Sequence, residues 1–446
     1  MDHPPARSAA DAVPFALALR VWLKIGCLSF GGPAGQIALM HEELVVRRRW
    51  ISEARFLHAL NYCMVLPGPE AQQLATYLGW LMHRTWGGLL AGVLFILPGL
   101  LLLTALTAMY AAWGSTPAVT AIFAGIQPAV LAVVLAAAWR LGQRTLRDPL
   151  LIGIAAAALL GLVLGLHFAL ILGLAALSGW IGAKWRPQAF AARSSHAGAG
   201  SVHARGPALI DDDTPTPAHA RPDRRRLLRV LLICLALWLL PVALLAAVFG
   251  GEHAYVQMAL FFTQAALLTF GGAYAVLPYV WAASVDTHGW LSTAQMIHGI
   301  ALAEATPGPL ILVVSHVGFL GGWNGALLGP DALLPAGVLG ALMVAWVSFL
   351  PSFLFILAGG PLLESSRDQL RLAAPLTAIS AAVVGVILSL ALRFAGVVLW
   401  PASLTGGIHL PALSLSLLAV LALIRWSRSP LEVIGAGALL GALGLV

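Results

Sequence analysis

The sequence predicts an all-α polytopic membrane protein made of two homologous halves with inverted topology. Three observations predict it: apolar runs of membrane-spanning length recur along the chain, short motifs repeat in one register, and basic residues move to the opposite loops between the halves. Composition carries the first, with 60% hydrophobic against 10% charged residues over 446 positions, where soluble proteins carry about 25% charged. Such a chain makes no water-facing globule. Runs of roughly 17 to 25 apolar residues can cross hydrocarbon, and clear ones lie at 87–112, 118–138, 149–166 and 168–183. Others lie at 229–249, 255–270, 297–320, 336–358, 374–392, 410–424 and 431–446, with weaker ones at 14–30 and 57–82. These are about 13 candidates, and about 11–13 membrane segments are expected from them.

The net charge of +7 does not point to nucleic acid, because the basic residues are scattered between apolar runs instead of forming one basic domain. Cys27, Cys63 and Cys234 lie in or beside apolar runs without CxxC spacing, so they read as small apolar residues, not as a disulfide framework. The first thirteen residues show no secretory cleavage site, and the first apolar run is expected to remain in the mature protein. The stretch 184–226 breaks the pattern with Arg, Ala, Pro, His and Asp, and reads as a basic cytoplasmic linker whose DDDTPTP segment, 211–217, is flexible and solvated. The expected organisation is a first repeat at 1–183, a linker at 184–228, an extra transmembrane helix at 229–250 and a second repeat at 251–446.

The repeat is read from the motifs. Phe30-Gly31-Gly32 returns as Phe270-Gly271-Gly272, Trp50-Ile51-Ser52 as Trp290-Leu291-Ser292, His58 as His298, and Pro67-Gly68-Pro69 as Pro307-Gly308-Pro309, each 240 residues later. Leu97-Pro98 then matches Leu350-Pro351 and Arg140 matches Arg393 at a spacing of 253, so the second half has gained 13 residues, expected around 320–340. Several motifs in one register indicate duplication, a common construction among secondary transporters.

Charge gives the orientation. Arg47, Arg48, Arg49, Arg55 and Arg84 occupy first-half loops whose second-half counterparts, 287–295 and 320–325, hold no Lys or Arg. The second half carries Arg367, Arg371, Arg425 and Arg428 where the equivalent first-half loops have none. If basic loops stay cytoplasmic, the halves are inserted upside down relative to each other, and 229–249 supplies the extra crossing. Arg393 stands outside this pattern.

Two motifs point to function. Proline removes a backbone donor and clashes with the preceding turn, so each Pro-Gly-Pro breaks its apolar run. Arms of roughly 15–20 Å then reach only mid-membrane, and the free N–H groups of a half-helix beginning near Pro69 suit an anion. Glu70, Gln72 and Gln73 follow on its first turn; a kink used only for packing is the alternative reading. Charge patterns there favour a re-entrant hairpin over a crossing for 57–82, since Arg47–Arg49 and Arg84 flank its two ends. The Phe-Gly-Gly motifs serve either close packing or substrate. Arg20 and Lys24 could attract an anion or snorkel to the interface, and Glu304 could carry protons or cap local backbone. HEELV at 41–45 lacks the second histidine of a zinc helix, and no P-loop, metal cluster or catalytic constellation is present in the sequence.

FGGPAGQIALMHEE (30–43), RRRWISEARF (47–56) and LPGPEAQQLATYLGWLMHRTWGGLLAG (66–92) resemble the chromate ion transporter family, and the later FGG and ATPGPL match its second-half pattern. The resemblance covers both halves, as in the long two-domain members. It implies a secondary exporter of chromate in the bacterial inner membrane, linked to the proton-motive force and conferring resistance, with no enzymatic activity and no cofactor. Its implied partners are chromate or a sulfate-like oxyanion and the lipid bilayer, with a homodimer compatible and nucleic acid not expected. The candidate substrate residues are Lys24, Phe30, Gly31, Gly32, Pro67, Gly68, Pro69, Glu70, Gln72, Gln73 and Tyr77 in the first half, and Gly271, Gly272, Glu304, Pro307, Gly308 and Pro309 in the second. Leu310 stands where the first half has Glu70, so the first half is expected to dominate substrate contact.

Overall fold

A lipid-facing backbone has to satisfy its own hydrogen bonds, which leaves helices as the economical solution for so apolar a chain. The computed structural model describes residues 13–190, 208–211, 214, 218–221, 223–365, 373–401 and 407–445, and among them there is no strand. The first half comprises α1 (Phe15–Leu28), α2 (Gly32–His41) continuing through a π-helical turn (Glu42–Arg47), α3 (Glu53–Cys63), α4 (Glu70–Trp113), α5 (Pro117–Thr145), α6 (Pro149–Val163) and α7 (Phe168–Trp185). Helix α8 (Arg224–Phe249) joins the halves. The second half repeats the order as α9 (Ala254–Leu267), α10 (Ala273–Trp281) with a π-helical turn (Ala282–Thr287), α11 (Thr293–Glu304), α12 (Val313–Asn324), α13 (Leu333–Ser365), α14 (Ala373–Leu399), α15 (Leu410–Ile424) and α16 (Pro430–Ala442). Even the π-helical turn recurs 240 residues on.

Among the described residues six helices are long and apolar enough to cross a membrane, and five further apolar ones are shorter, at 10–17 residues. Helix α4, the longest, is two arms rather than one rod. His83 and Arg84 leave helical geometry, with φ +57° at Arg84. The arm before them folds back on the arm after them, so that Gly79 faces Gly87 and Ala91 while Thr76 faces Gly92. At 1.5 Å per residue the first arm is about 20 Å long and the second about 43 Å. In the second half the same fold-back joins α12 to α13, with Gly318 on Gly340 and Gly322 on Ala336, but through the longer connection 325–332. The expected 13-residue insertion is therefore spread over that connection and the helix ends beside it.

The short helices pair into hairpins with the sequence motifs at their tips. Lys24 of α1 meets Glu43 after α2 at 2.6 Å, which folds α1 and α2 together around Phe30-Gly31-Gly32. Helix α11 runs antiparallel to α12 around Pro307-Gly308-Pro309: His316 lies against Gly299, and Asn324 donates to the Trp290 carbonyl at 3.1 Å. In the first half Gly68 lies at Ser352 of α13, while Tyr62 and Trp80, one on each arm, lie at Gly359 and Gly360 about two turns further along. The Pro-Gly-Pro of 57–82 is thus the tip of a hairpin whose two arms lie side by side against α13. Both first-half hairpins have their bases at the arginine-rich end, where His83 meets the Val13 carbonyl at 2.8 Å.

Inversion is visible in how the long arms run. The second arm of α4 starts beside its own hairpin at Arg84, passes Pro307 at Gly99 midway, and ends along the second half's hairpin, where Thr107 and Tyr110 meet His316 and His298. Helix α13 runs the opposite way, from the base of the second hairpin past Gly68 to the arms of the first. The two sets of hairpins therefore enter from opposite ends and meet tip to tip. Helices α5 and α14 interlock the halves, α5 packing on α15 and α16, and α14 on α6 and α7, through small residues such as Gly125 against Gly437 and Gly385 against Ala155.

Arg393, the exception to the charge pattern, forms an exposed ion pair with Asp286 at 2.9 Å. Arg367 and Arg371 lie outside the described residues, as do Asp212 and Asp213 of the linker. The linker does not run free of the protein at its described residues 208–211 and 218–220. Leu209 N–H donates to Arg49 O at 2.9 Å, Ile210 N–H to Trp50 O at 3.0 Å and Ser52 N–H to Ile210 O at 3.0 Å, and the Ile210 side chain is fully buried. Ala220 is fully buried as well, so two apolar side chains in a polar stretch give the described residues something to bury.

Single cysteines replacing Arg48, Arg84 and His288 in a background lacking Cys27, Cys63 and Cys234 test the arrangement with an impermeant maleimide. The first two label from one side of the membrane and the third from the other; labelling of positions 48 and 84 from opposite sides defeats the hairpin.

Candidate functional site

Four hairpin tips converge between the halves, and the contacts between them are reciprocal. Gly68 N–H donates to the Thr269 carbonyl at 2.7 Å, and Gly308 N–H donates to the Ser29 carbonyl at 2.8 Å. Gly68 and Gly308 are repeat equivalents, as are Ser29 and Thr269. Each Pro-Gly-Pro tip therefore docks on the Phe-Gly-Gly tip of the other half. Gly31 at φ +86° and Gly271 at φ +76° make the turns of the Phe-Gly-Gly tips in a region that disfavours side chains. Gly99 permits the closest approach, since a Cβ there would overlap the Pro307 carbonyl oxygen.

Glutamines clamp the tips. Gln36, fully buried, donates from Nε2 to Gly308 O at 2.6 Å and to Ser29 O at 3.4 Å, so it bridges both halves. Gln73 donates to Pro67 O at 2.7 Å and approaches Ser352 Oγ at 3.5 Å, and Gln72 donates to Thr76 Oγ1 at 3.0 Å. The amide N–H groups of Gln72 and Gln73 are thus engaged within the protein. The carbonyl oxygens of all three glutamine side chains are buried without a partner.

The backbone supplies the free donors. Helices α2, α4, α10 and the turn leading into α12 all begin at tips, and none has a side-chain cap. Two of the tip carbonyls, those of Ser29 and Thr269, are occupied by N–H donors, and those of Pro67 and Gly308 by glutamine amides. What remains are helix starts whose first-turn N–H groups have no acceptor within their own helix and no side-chain cap, together with the positive ends of the helix dipoles, the combination that favours an anion. The space is closed in this conformation. A cavity of about 10 Å³, room for one water, is bounded by Gly68, Pro69, Thr269, Ile311 and Ser348, and the Ser348 hydroxyl is buried there without a partner.

Of the sequence-derived candidates, Phe30, Gly31, Gly32, Pro67, Gly68, Pro69, Gly271, Gly272, Pro307, Gly308 and Pro309 meet at these tips. Phe30 is 37% exposed, whereas Gly68 and Pro307–Pro309 are buried. Glu70 begins α4 directly behind the tip. Tyr77 is buried further down that arm against Trp80. Lys24 is committed to Glu43, a carboxylate 3% exposed that also meets Arg47 at 3.2 Å and Arg48 at 3.4 Å, so its charge braces the base of a hairpin and does not face the tips. Glu304 accepts from the Tyr274 hydroxyl just behind the second tip. Gln36, Ser29 and Thr269 were not singled out from sequence; the polar residue six positions after Phe30 in an apolar run was the available signal. Among the described residues no group of His, Cys, Asp and Glu side chains is placed to hold a metal.

The comparisons with known proteins bear on this geometry. A family model described as Chromate transporter matches residues 16–180 and 256–442, one match in each half. The chain belongs to the chromate transporter family. A chromate transport protein of Pseudomonas aeruginosa is 33% identical over 368 residues, covering 82% of this chain and 77% of that protein. One of Cupriavidus metallidurans is 26% identical over 452 residues, covering 100% and 97% respectively. A probable chromate transport protein of Synechococcus elongatus is 29% identical over 82% of this chain. No solved structure matches. Both family segments contain a Phe-Gly-Gly and a Pro-Gly-Pro, so the tips belong to the part of the chain shared with these transporters.

Replacing Gly99 by Val or Gln36 by Leu attacks the docking directly, the first by overpacking and the second by leaving Gly308 O unsatisfied. Each is expected to cost about 1–3 kcal/mol, read as a lowered midpoint of thermal unfolding in detergent; an unchanged midpoint for both would mean the tips are not docked.

Proposed function

We propose that this protein exports chromate across the bacterial inner membrane, with transport linked to the proton-motive force and chromate resistance as its consequence. The observation that carries this reading is the meeting of four uncapped helix starts at the tips of oppositely inserted hairpins. Chromate at neutral pH is largely a tetrahedral dianion. Unpaired backbone N–H groups replace part of its hydration, and water supplies the rest. The names of the relatives supply the word chromate; the tips supply an anion site and a way to expose it.

Alternating access follows from the same architecture. The first half's hairpins rest on the arginine-rich end, which the basic loops assign to the cytoplasm, and the second half's hairpins on the opposite, periplasmic end. Moving one set away from its docking partners opens the chamber to one side while the other set keeps it closed. The two tip-to-tip hydrogen bonds act as the alternating gates. Glu70, beside the chamber, has no cation or hydrogen-bond partner among the described residues, which leaves it free to act on a proton or on the anion's water shell.

Uptake of radiolabelled chromate and sulfate into inverted membrane vesicles, with and without an imposed pH gradient, tests the reading. Chromate uptake stimulated by the gradient is expected. Preference for sulfate would make the protein a sulfate permease, and gradient-independent equilibration would make it a channel. Gln72→Leu and Gln73→Leu keep volume but remove the amide on Thr76 behind the first tip and the amide that holds Pro67 O of the tip itself, a loss of about 1–3 kcal/mol or roughly 5- to 150-fold in apparent affinity. Wild-type export by both, at equal expression, would assign these amides to packing alone.

A further inference from the structure

The second hairpin buries two imidazoles that the anion site does not use. His298 of α11 is 8% exposed and His316 of α12 fully buried, and both lie against the second arm of α4. His316 Nε2 lies 3.0 Å from the Gln295 carbonyl oxygen, which only accepts, so Nε2 carries the proton and Nδ1 is the acceptor. Nδ1 takes its hydrogen bond from Thr107 Oγ1 at 2.9 Å. His298 meets the Tyr110 hydroxyl at 2.9 Å through Nδ1 and Gln127 Nε2 at 3.0 Å through Nε2. The Tyr110 ring stands between the imidazoles, 5.5 Å from one centroid and 6.0 Å from the other. Phe123 on α5 packs on His298 with ring centroids 4.2 Å apart, and the residues of α9 and α13 that pack on α12 beside His316, among them Met258, Tyr255 and Gly340, are uncharged. Nearer the tip, the charged groups are Glu304, bonded by Tyr274, and Arg140, which acts on that pair electrostatically.

We propose that His316, with His298 beside it, is the proton carrier of this transporter and holds one coupling proton per cycle, an inference that rests on the proton-linked reading above. Uptake places the proton on His316 Nδ1, and the Thr107 hydroxyl, which donates to that atom now, turns to accept from it. No heavy atom has to move for this switch. Two imidazolium charges flanking one tyrosine ring in a buried site repel strongly, which limits the pair to a single proton.

Position couples that proton to access. Both imidazoles ride on the arms of the hairpin inserted from the periplasmic end, whereas both hydroxyls belong to α4. The carrier therefore straddles the surface that has to part when this hairpin opens. A buried imidazolium lacks water, so protonation favours the open, hydrated arrangement and deprotonation the closed one. The matching surface of the first half has no such pair: His58 keeps the place of His298, but Thr76 replaces His316 and gives its hydroxyl to its own helix at Gln72 O, 2.9 Å. Coupling is thereby confined to the periplasmic gate.

The test uses the purified full chain in proteoliposomes with the membrane potential clamped, comparing chromate/chromate exchange with accumulation driven by a pH gradient of about one unit. One coupled proton gives the wild type about tenfold accumulation. His316→Gln, which can still donate to Gln295 O, is expected to keep exchange within about twofold and to lose the accumulation. Accumulation retained by this variant overturns the proposal, as does loss of exchange along with it, which would put His316 in the substrate path. About hundredfold accumulation in the wild type overturns the one-proton claim. If the wild type itself ignores the gradient, the proton-linked reading fails first, and that result is seen without any variant. Thr107→Val is the second probe should His316→Gln fail to fold: it is expected to slow gradient-driven uptake and spare exchange, and equal behaviour to wild type in both assays overturns the assignment.

Discussion

Backbone that breaks inside a membrane has to find its hydrogen bonds within the protein, and here it finds them across the boundary between the halves. Gly68 N–H on Thr269 O and Gly308 N–H on Ser29 O close the two breaks in each other's repeats. Neither half can satisfy its own tip in this conformation. The short helices, the glycine at position 99 and the buried glutamine at position 36 are all arranged around that exchange. It also explains why the hairpins stop midway: a tip that ran further would leave its partner behind.

Much of this was legible in the sequence because the causes are local. Proline cannot donate, so Pro-Gly-Pro announces a break wherever it stands in an apolar run, and arginines on both flanks of 57–82 announce that the run returns to its own side. The repeat register placed 13 extra residues around 320–340, the region in which the second half's fold-back lies. Tip-to-tip docking was not legible, since it depends on residues 240 apart meeting their equivalents' neighbours, and nothing in a linear pattern says which carbonyl a glycine N–H will reach. Lys24 was misleading for the same reason. Its partner, Glu43, is nineteen residues away and becomes adjacent only when the Phe-Gly-Gly turn folds the hairpin. The contacts of 208–211 and 218–220 escaped notice because they rest on Ile210 and Ala220, two apolar side chains scattered in a polar stretch.

Duplication gave both halves the same scaffold, and divergence then distributed the polar groups unequally. The first half keeps Gln36, Glu70, Gln72 and Gln73 around its tips, where the second has Val276, Leu310, Leu312 and Val313. The second keeps His316, Tyr274 and Glu304, where the first has Thr76, Ala34 and Met64. A symmetric pair of gates with identical chemistry would respond identically to any ligand and so would couple nothing, because a ligand shifts an equilibrium only by its differential affinity for the two states. Inverted halves with unlike polar residues solve that problem. On the proposed reading, inverted repeats offer an inward- and an outward-facing arrangement of one scaffold, and the few unlike side chains would let an anion favour one and a proton the other.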